Sequence, residues 1–369
     1  MITIFYGCAK TTKQNIADTV QKKERIKVDK PEFVRGVHLS AWVAGEKTLT
    51  DRFTPLLGRN KLNTIVIAVK EYDGTVYLSC PDIAAKYNIA TTPVKGIIEY
   101  LNNLKKLNIY PIARIVVFKD TQLAKRNPGL AVKTPDGSAW RDRKGNMWCD
   151  PYNRKVWDYN IAIAKQAEEL GFEEIQFDYL RFPSDGNVKL CRYSQKHSSE
   201  TASAVLGEFL AMAREVLDIP VSIDVFGLTP SVEHDMGIGQ KFRDITANAD
   251  FVSPMMYPSH YYKNEYGIKE PNKEPYKVVF KTVADAKYLL KDTSYQIRPY
   301  LQDFSIGYKY GHNEVKAQIK ACYDNGIFDW LLWDPKCRYT LSAIEEMVKF
   351  TPKNYVVSGS TNNRNSRKE

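Results

Sequence analysis

From Val34 onward, eight short runs of β-branched and apolar residues alternate with longer stretches of helical spacing. Such alternation needs crossover connections and therefore a parallel sheet. The predicted strands are Val34–Trp42, Thr64–Lys70, Tyr110–Phe118, Glu174–Phe182, Pro220–Gly227, Asp250–Pro258, Gln296–Phe304 and Trp330–Asp334. Between them, Thr92–Leu107 opens on Thr-Pro and spaces Val94, Ile97, Ile98, Leu101 and Leu104 along one helical face. Asn153–Leu170 is stopped by Gly171, His312–Asn325 by Gly326, and Leu341–Phe350 closes the series. Eight such units in about 320 residues fit a (β/α)8 TIM barrel with a long loop after the third strand. The rival, an open doubly wound sheet, carries a Gly-rich phosphate turn after its first strand. Ser40-Ala41-Trp42-Val43-Ala44-Gly45 has no such pattern.

Asp178 ends the fourth run, in Glu174-Ile175-Gln176-Phe177-Asp178-Tyr179-Leu180-Arg181-Phe182-Pro183. An acid closing an apolar strand suits the C-terminal mouth of a barrel better than a core. Strand side chains alternate faces. With Asp178 inward, the same rule sends His38, Lys70, Arg114, Asp224, Tyr257, Arg298, Gln302 and Trp333 inward, and sends Ile67, Val69, Ile115, Val117, Ile223 and Val225 toward the helices. A barrel interior built for stability alone is filled with branched apolar groups. So many polar and aromatic inward positions predict a ligand-binding mouth, although a pair such as Arg114 and Asp178 also fits simple charge compensation. The loop from Lys119 to Tyr152 carries Trp140 and Trp148. They suit either stacking on a sugar or anchoring the loop to the body.

Asp178 and Asp224 lie on neighbouring strands, which run about 4.8 Å apart. That spacing allows a pair of carboxylates for glycosidic cleavage, with one ionised and one protonated. Arg181 or Arg114 is expected to keep Asp178 ionised, and Asp224 is the candidate proton donor. Glu71, Asp73, Asp303 and Asp334 also end strands and are alternatives for the acid. Other chemistries lack their signatures. There is no H-E-x-x-H, G-x-S-x-G or Walker loop, and five scattered histidines form no metal cage, so neither metal nor cofactor is expected. A Schiff base at Lys70 is less favoured than an ion pair or substrate contact.

The chain carries a net charge of +10, with +3 in residues 1–33 and +3 in 351–369. The central region is only weakly basic, unlike a nucleic-acid binder, so no nucleic-acid partner is expected. Basic ends suit an anionic cell envelope. Six scattered cysteines make no C-x-x-C pair and read as packed thiols. No apolar run is long enough to span a membrane. Gly7-Cys8 resembles the end of a lipoprotein signal, with Cys8 as a lipidated anchor and an extracytoplasmic location; an ordinary terminus is the alternative reading. The organisation expected is a polar tether over 1–33, a barrel over 34–350 and a disordered tail over 351–369.

Four stretches, Val34-Arg35-Gly36-Val37-His38-Leu39-Ser40-Ala41, Leu62 to Lys70, Gln176 to Pro183 and Met255-Met256-Tyr257-Pro258, together resemble a bacterial glycoside hydrolase family with a TIM-barrel domain. The resemblance implies a carbohydrate-active barrel acting on an extracellular or cell-envelope polysaccharide. By similarity to α-amylase-like and α-galactosidase-like barrels, it makes Asp178 the nucleophile. Met256-Tyr257 and Trp333 are also similar to chitinase-type barrels. Those place a glutamate two residues after the fourth-strand aspartate, where this chain has Leu180, which argues against a substrate-assisted mechanism. A non-catalytic sugar-binding barrel is the competing expectation.

Overall fold

The computed structural model describes residues 26–46, 51, 53–58, 61–290 and 296–355. Its strands are β1 (Arg35–Ser40), β2 (Thr64–Lys70), β3 (Tyr110–Val116), β4 (Glu174–Asp178), β5 (Val221–Phe226), β6 (Phe251–Met256), β7 (Gln296–Ile297), β8 (Tyr300–Gln302) and β9 (Trp330–Trp333). All pair in parallel, and the β5–β6 and β9–β1 pairings close the sheet. β7 and β8 both pair with β6 and together fill the seventh barrel position. Pro299 lies between them, and proline has no N–H to give to a ladder. The expected (β/α)8 barrel is therefore the observed fold.

The helices are α1 (Ala41–Gly45), α2 (Pro81–Tyr87), α3 (Ile97–Lys106), α4 (Thr121–Arg126), α5 (Arg154–Leu170), α6 (Ser199–Val216), α7 (Phe242–Thr246), α8 (Pro275–Leu290), α9 (His312–Asp324) and α10 (Leu341–Met347). α5 starts where the Asn153 side chain accepts the Lys155 N–H and ends at Gly171, whose φ of 106° is left-handed. α6 starts at a Ser198–Thr201 capping box. The outward faces of the strands meet these helices. Phe209 of α6 packs on Phe177 of β4 with ring centroids 5.0 Å apart, and also meets Trp157 of α5. Each such fully buried aromatic side chain contributes about 2–3 kcal/mol of apolar transfer free energy.

Inside the barrel the layers are polar at the bottom. Arg298 pairs with Glu174, the first residue of β4, and the Ser222 hydroxyl donates to the same carboxylate at 2.6 Å. Above them the Tyr300 hydroxyl donates to the Gln176 amide oxygen at 2.8 Å. Residues flanking the predicted barrel also join the body. Val28 is buried, its N–H donates to Glu173, and the Tyr355 hydroxyl donates to Asp324. Cys8 and residues 356–369 lie outside the described residues.

Candidate active site

The upper interior layer meets the cavity at the C-terminal ends of the strands. Arg114 on β3 donates from Nε (3.0 Å) and Nη2 (2.5 Å) to Oδ2 of Asp178. The other oxygen, Oδ1, accepts the Tyr179 N–H at 2.6 Å. Both oxygens thus act only as acceptors, the behaviour of an ionised carboxylate. Tyr179 has φ of 50°, so the chain turns left-handed immediately after the acid. A tyrosine in that region is strained, and the turn is what brings its N–H back onto Asp178.

Asp224 lies on β5 in the rung following the paired Phe177 and Ile223, so it stands beside Asp178. Its backbone neighbour is about 4.8 Å away across the ladder. It is 1% exposed, and its Oδ1 has no hydrogen-bond partner. Burial first, and then the charge of Asp178, push its carboxyl well above the usual range, against Arg114 and Arg298. The two carboxyls thus sit in unlike surroundings: Asp178 among hydrogen-bond donors, and Asp224 in a buried position that favours its neutral form.

The cavity measures about 830 Å³ and is lined by Arg114, Asp178, Arg181, Asp224, Tyr257 and Trp333, among others. Trp333 lies against the Arg114 guanidinium at 5.0 Å and against the His38 ring at 4.1 Å. His38 lies behind Trp333, 3% exposed, and both ring nitrogens lack partners. Burial, then Arg114, lower its pKa well below the ordinary value, so the ring is neutral. Gly227 closes the turn after β5: a Cβ there would stand 2.3 Å from the Met255 carbonyl oxygen. Of the alternative acids, Glu71 approaches Arg114 Nη1 at 3.4 Å, and Asp73 binds the Thr75 N–H and hydroxyl at an exposed turn. Asp303 binds the Thr340 N–H and hydroxyl, while burial pushes its carboxyl up to about 7. Asp334 lines the cavity and caps the turn to Lys336 and Arg338.

Four expected substrate contacts do not line the cavity: His38, which lies behind Trp333, and Lys70, Arg298 and Gln302. Lys70 points toward the helices, not into the mouth: it pairs with Asp120 at 2.8 Å and donates to Asn160 of α5. A register shift between Ala68 and Lys70 breaks the alternation that predicted it inward. Arg298 does face inward, but at the barrel floor with Glu174. Gln302 ties two mouth loops together, accepting the Ser259 N–H and donating to the Phe304 carbonyl. Trp140 and Trp148 are 2% and 1% exposed, so they anchor their loop and offer no face to a sugar. Sequence reasoning missed Tyr300, although the step from Arg298 to Gln302 passes through it. It also missed Phe304, two residues beyond Gln302 at the end of the predicted strand, and the loop residues Asp185, His260 and Tyr262, for which strand periodicity gives no signal.

The fold is that of the TIM-barrel glycoside hydrolases. The chain belongs to the family described as "Putative glycosyl hydrolase domain", whose model matches residues 36–339. It is similar to a hypothetical protein from Ruminiclostridium thermocellum ATCC 27405, 36% identical over 51% of this chain and 97% of that one, with a TM-score of 0.46. The PgaB (BpsB) glycoside hydrolase domain from Bordetella bronchiseptica is 13% identical, covering 83% of this chain and 95% of its own, with a TM-score of 0.58. TtGalA, the alpha-galactosidase from Thermus thermophilus solved with p-nitrophenyl alpha-D-galactopyranoside, is 10% identical over 88% and 62%, with a TM-score of 0.54. The last two likenesses concern the fold alone. No curated protein matches the sequence.

Proposed function

We propose that the protein hydrolyses glycosidic bonds of a polysaccharide, with Asp178 as the ionised nucleophile or charge stabiliser and Asp224 as the proton donor. One observation carries this reading: Asp178 is gripped by Arg114 and a backbone N–H, while its neighbour Asp224 is buried with a free oxygen. A non-catalytic sugar-binding barrel has no use for a neutral acid beside an ionised one. Arg181, Tyr257 and Trp333 line the same cavity and are the proposed sugar contacts, with Arg114 and His38 as supports. Tyr262, 77% exposed, and Ile306, 54% exposed, extend the wall outward, which suits a chain longer than one sugar. An extracellular or cell-envelope substrate is supported by the Gly7-Cys8 sequence and the basic ends.

The test is release of reducing ends from a panel of bacterial envelope, plant and host glycans, together with p-nitrophenyl glycosides including the α-galactoside. Release is expected from at least one polymer. Binding without release across the panel contradicts the enzyme reading.

A further inference from the structure

The cavity holds a second arginine whose charge is compensated quite differently from that of Arg114. Arg181 follows β4 by three residues, is 7% exposed and lines the cavity. Its Nη1 donates to the Phe182 carbonyl at 2.9 Å and to the Ser184 hydroxyl at 3.1 Å. Three rings surround the guanidinium: Phe226 at 4.7 Å, Tyr179 at 4.8 Å and Trp148 at 4.9 Å. Among the described residues, no carboxylate makes an ion pair with it, whereas Arg114 has both Asp178 and Glu71.

A guanidinium offers five N–H donors in a planar fork. Arg181 spends part of that fork on neutral oxygens and keeps the rest beside an open cavity. Aromatic faces offset only part of the cost of burying a cation. Burial correspondingly pulls its pKa below the ordinary range. Asp178, already paired with Arg114, attracts the guanidinium from a distance, and so does Asp185, whose Oδ1 has no hydrogen-bond partner. Asp185 stands outside ion-pair distance, while the Phe182 and Ser184 contacts hold Arg181 in place.

We propose that Arg181 receives the carboxylate of an acidic sugar, so that the ligand is an anionic polysaccharide. The proposal rests on the glycosidase reading only for what happens after binding. A carboxylate matches the planar fork, accepts in-plane hydrogen bonds and supplies the missing countercharge. Lys336 on the cavity rim favours approach of such a polymer.

The experiment uses the intact protein with paired ligands: polygalacturonate and its carboxyl-reduced form, D-glucuronate and D-glucose, and dextran sulfate and dextran. Binding and cleavage are both read. The acidic member of each carboxylate pair is expected to bind at least about tenfold tighter, the size of one charge-assisted hydrogen bond. Arg181→Met should abolish that preference, and Asp185→Asn, which removes the rival anion, should preserve or increase it. Melting curves establish that each variant is folded, and the wild-type comparison stands without them. Equal binding of acidic and reduced forms overturns the proposal, as does no binding of either. Dextran sulfate binding as tightly as the carboxylates, and lost in moderate salt, also overturns it in favour of general polyanion capture. Preferred binding of acidic sugars without cleavage leaves the proposal standing and removes the glycosidase reading. Cleavage without preference does the reverse.

Discussion

Arg114 donates two hydrogen bonds to a single oxygen of Asp178, Oδ2, and leaves Oδ1 to the N–H of Tyr179. The acid is thereby fixed in orientation from two sides. The arginine comes from the neighbouring strand, and the N–H comes from a turn available only through the left-handed conformation of Tyr179. Asp224, one strand further round, has neither support.

The contrast predicts an inverted stability effect. Burial raises the Asp224 carboxyl in the folded protein, so it keeps its proton to higher pH than the unfolded chain, which releases it above about pH 4. With the folded pKa raised, the contribution of Asp224 to stability is complete below the unfolded value and declines as pH rises toward the folded value. Asp224→Asn removes that decline. Its melting temperature should equal or exceed wild type at about pH 7, with the advantage shrinking toward about pH 4. Thermal melts across that range check this, and a variant weakened at neutral pH contradicts a protonated Asp224.

The same proton should shape the rate profile. On the alkaline side, kcat/KM is expected to fall as Asp224 ionises, because a proton donor acts only while it holds its proton. In Asp224→Asn the residual rate should be lower and flat over that limb. A wild-type limb that persists unchanged in the variant would assign it to another group.

Trp333 touches both the Arg114 guanidinium and the His38 ring and lines the cavity. Trp333→Ala should raise KM about five- to tenfold through lost stacking, with a smaller effect on kcat. Trp333→Phe should recover much of it. Steady-state kinetics on the best polymer substrate separate the two parameters.

Lys70 belongs to the framework. Its pair with Asp120 is fully buried, so Lys70→Met strands a carboxylate and should cost about 3–5 kcal/mol. Adding Asp120→Asn should return part of that loss. Activity per folded molecule should not change in either variant. Denaturant melts with activity measured on the same samples check both statements.

The contrast between Lys70 and Asp178 shows how far the sequence could be read. Alternation places Asp178, Asp224, Arg114 and Trp333 at the mouth because β3, β4, β5 and β9 run without a bulge to their ends. On β2 a register shift changes the facing of Lys70, and nothing in Thr64-Ile65-Val66-Ile67-Ala68-Val69-Lys70 announces it. Facing was legible for Arg298, but height along the barrel was not: β7 is two residues long and sets Arg298 at the floor. The cavity walls after β4, β6 and β8 come from loops, where side-chain direction follows tertiary contacts such as the Gln302 clamp and not a period.

The most direct test of the roles assigned to Asp178 and Asp224 compares leaving groups. On a glycoside the protein accepts, a dinitrophenyl leaving group departs without a proton, whereas an alkyl or sugar leaving group needs one. Asp224→Asn should stay within about tenfold of wild type on the activated glycoside and fall by about 10²- to 10⁴-fold on the unactivated one. Asp178→Asn should fail on both. Equal losses for Asp224→Asn on the two substrates, or activity retained by Asp178→Asn on either, would contradict the account.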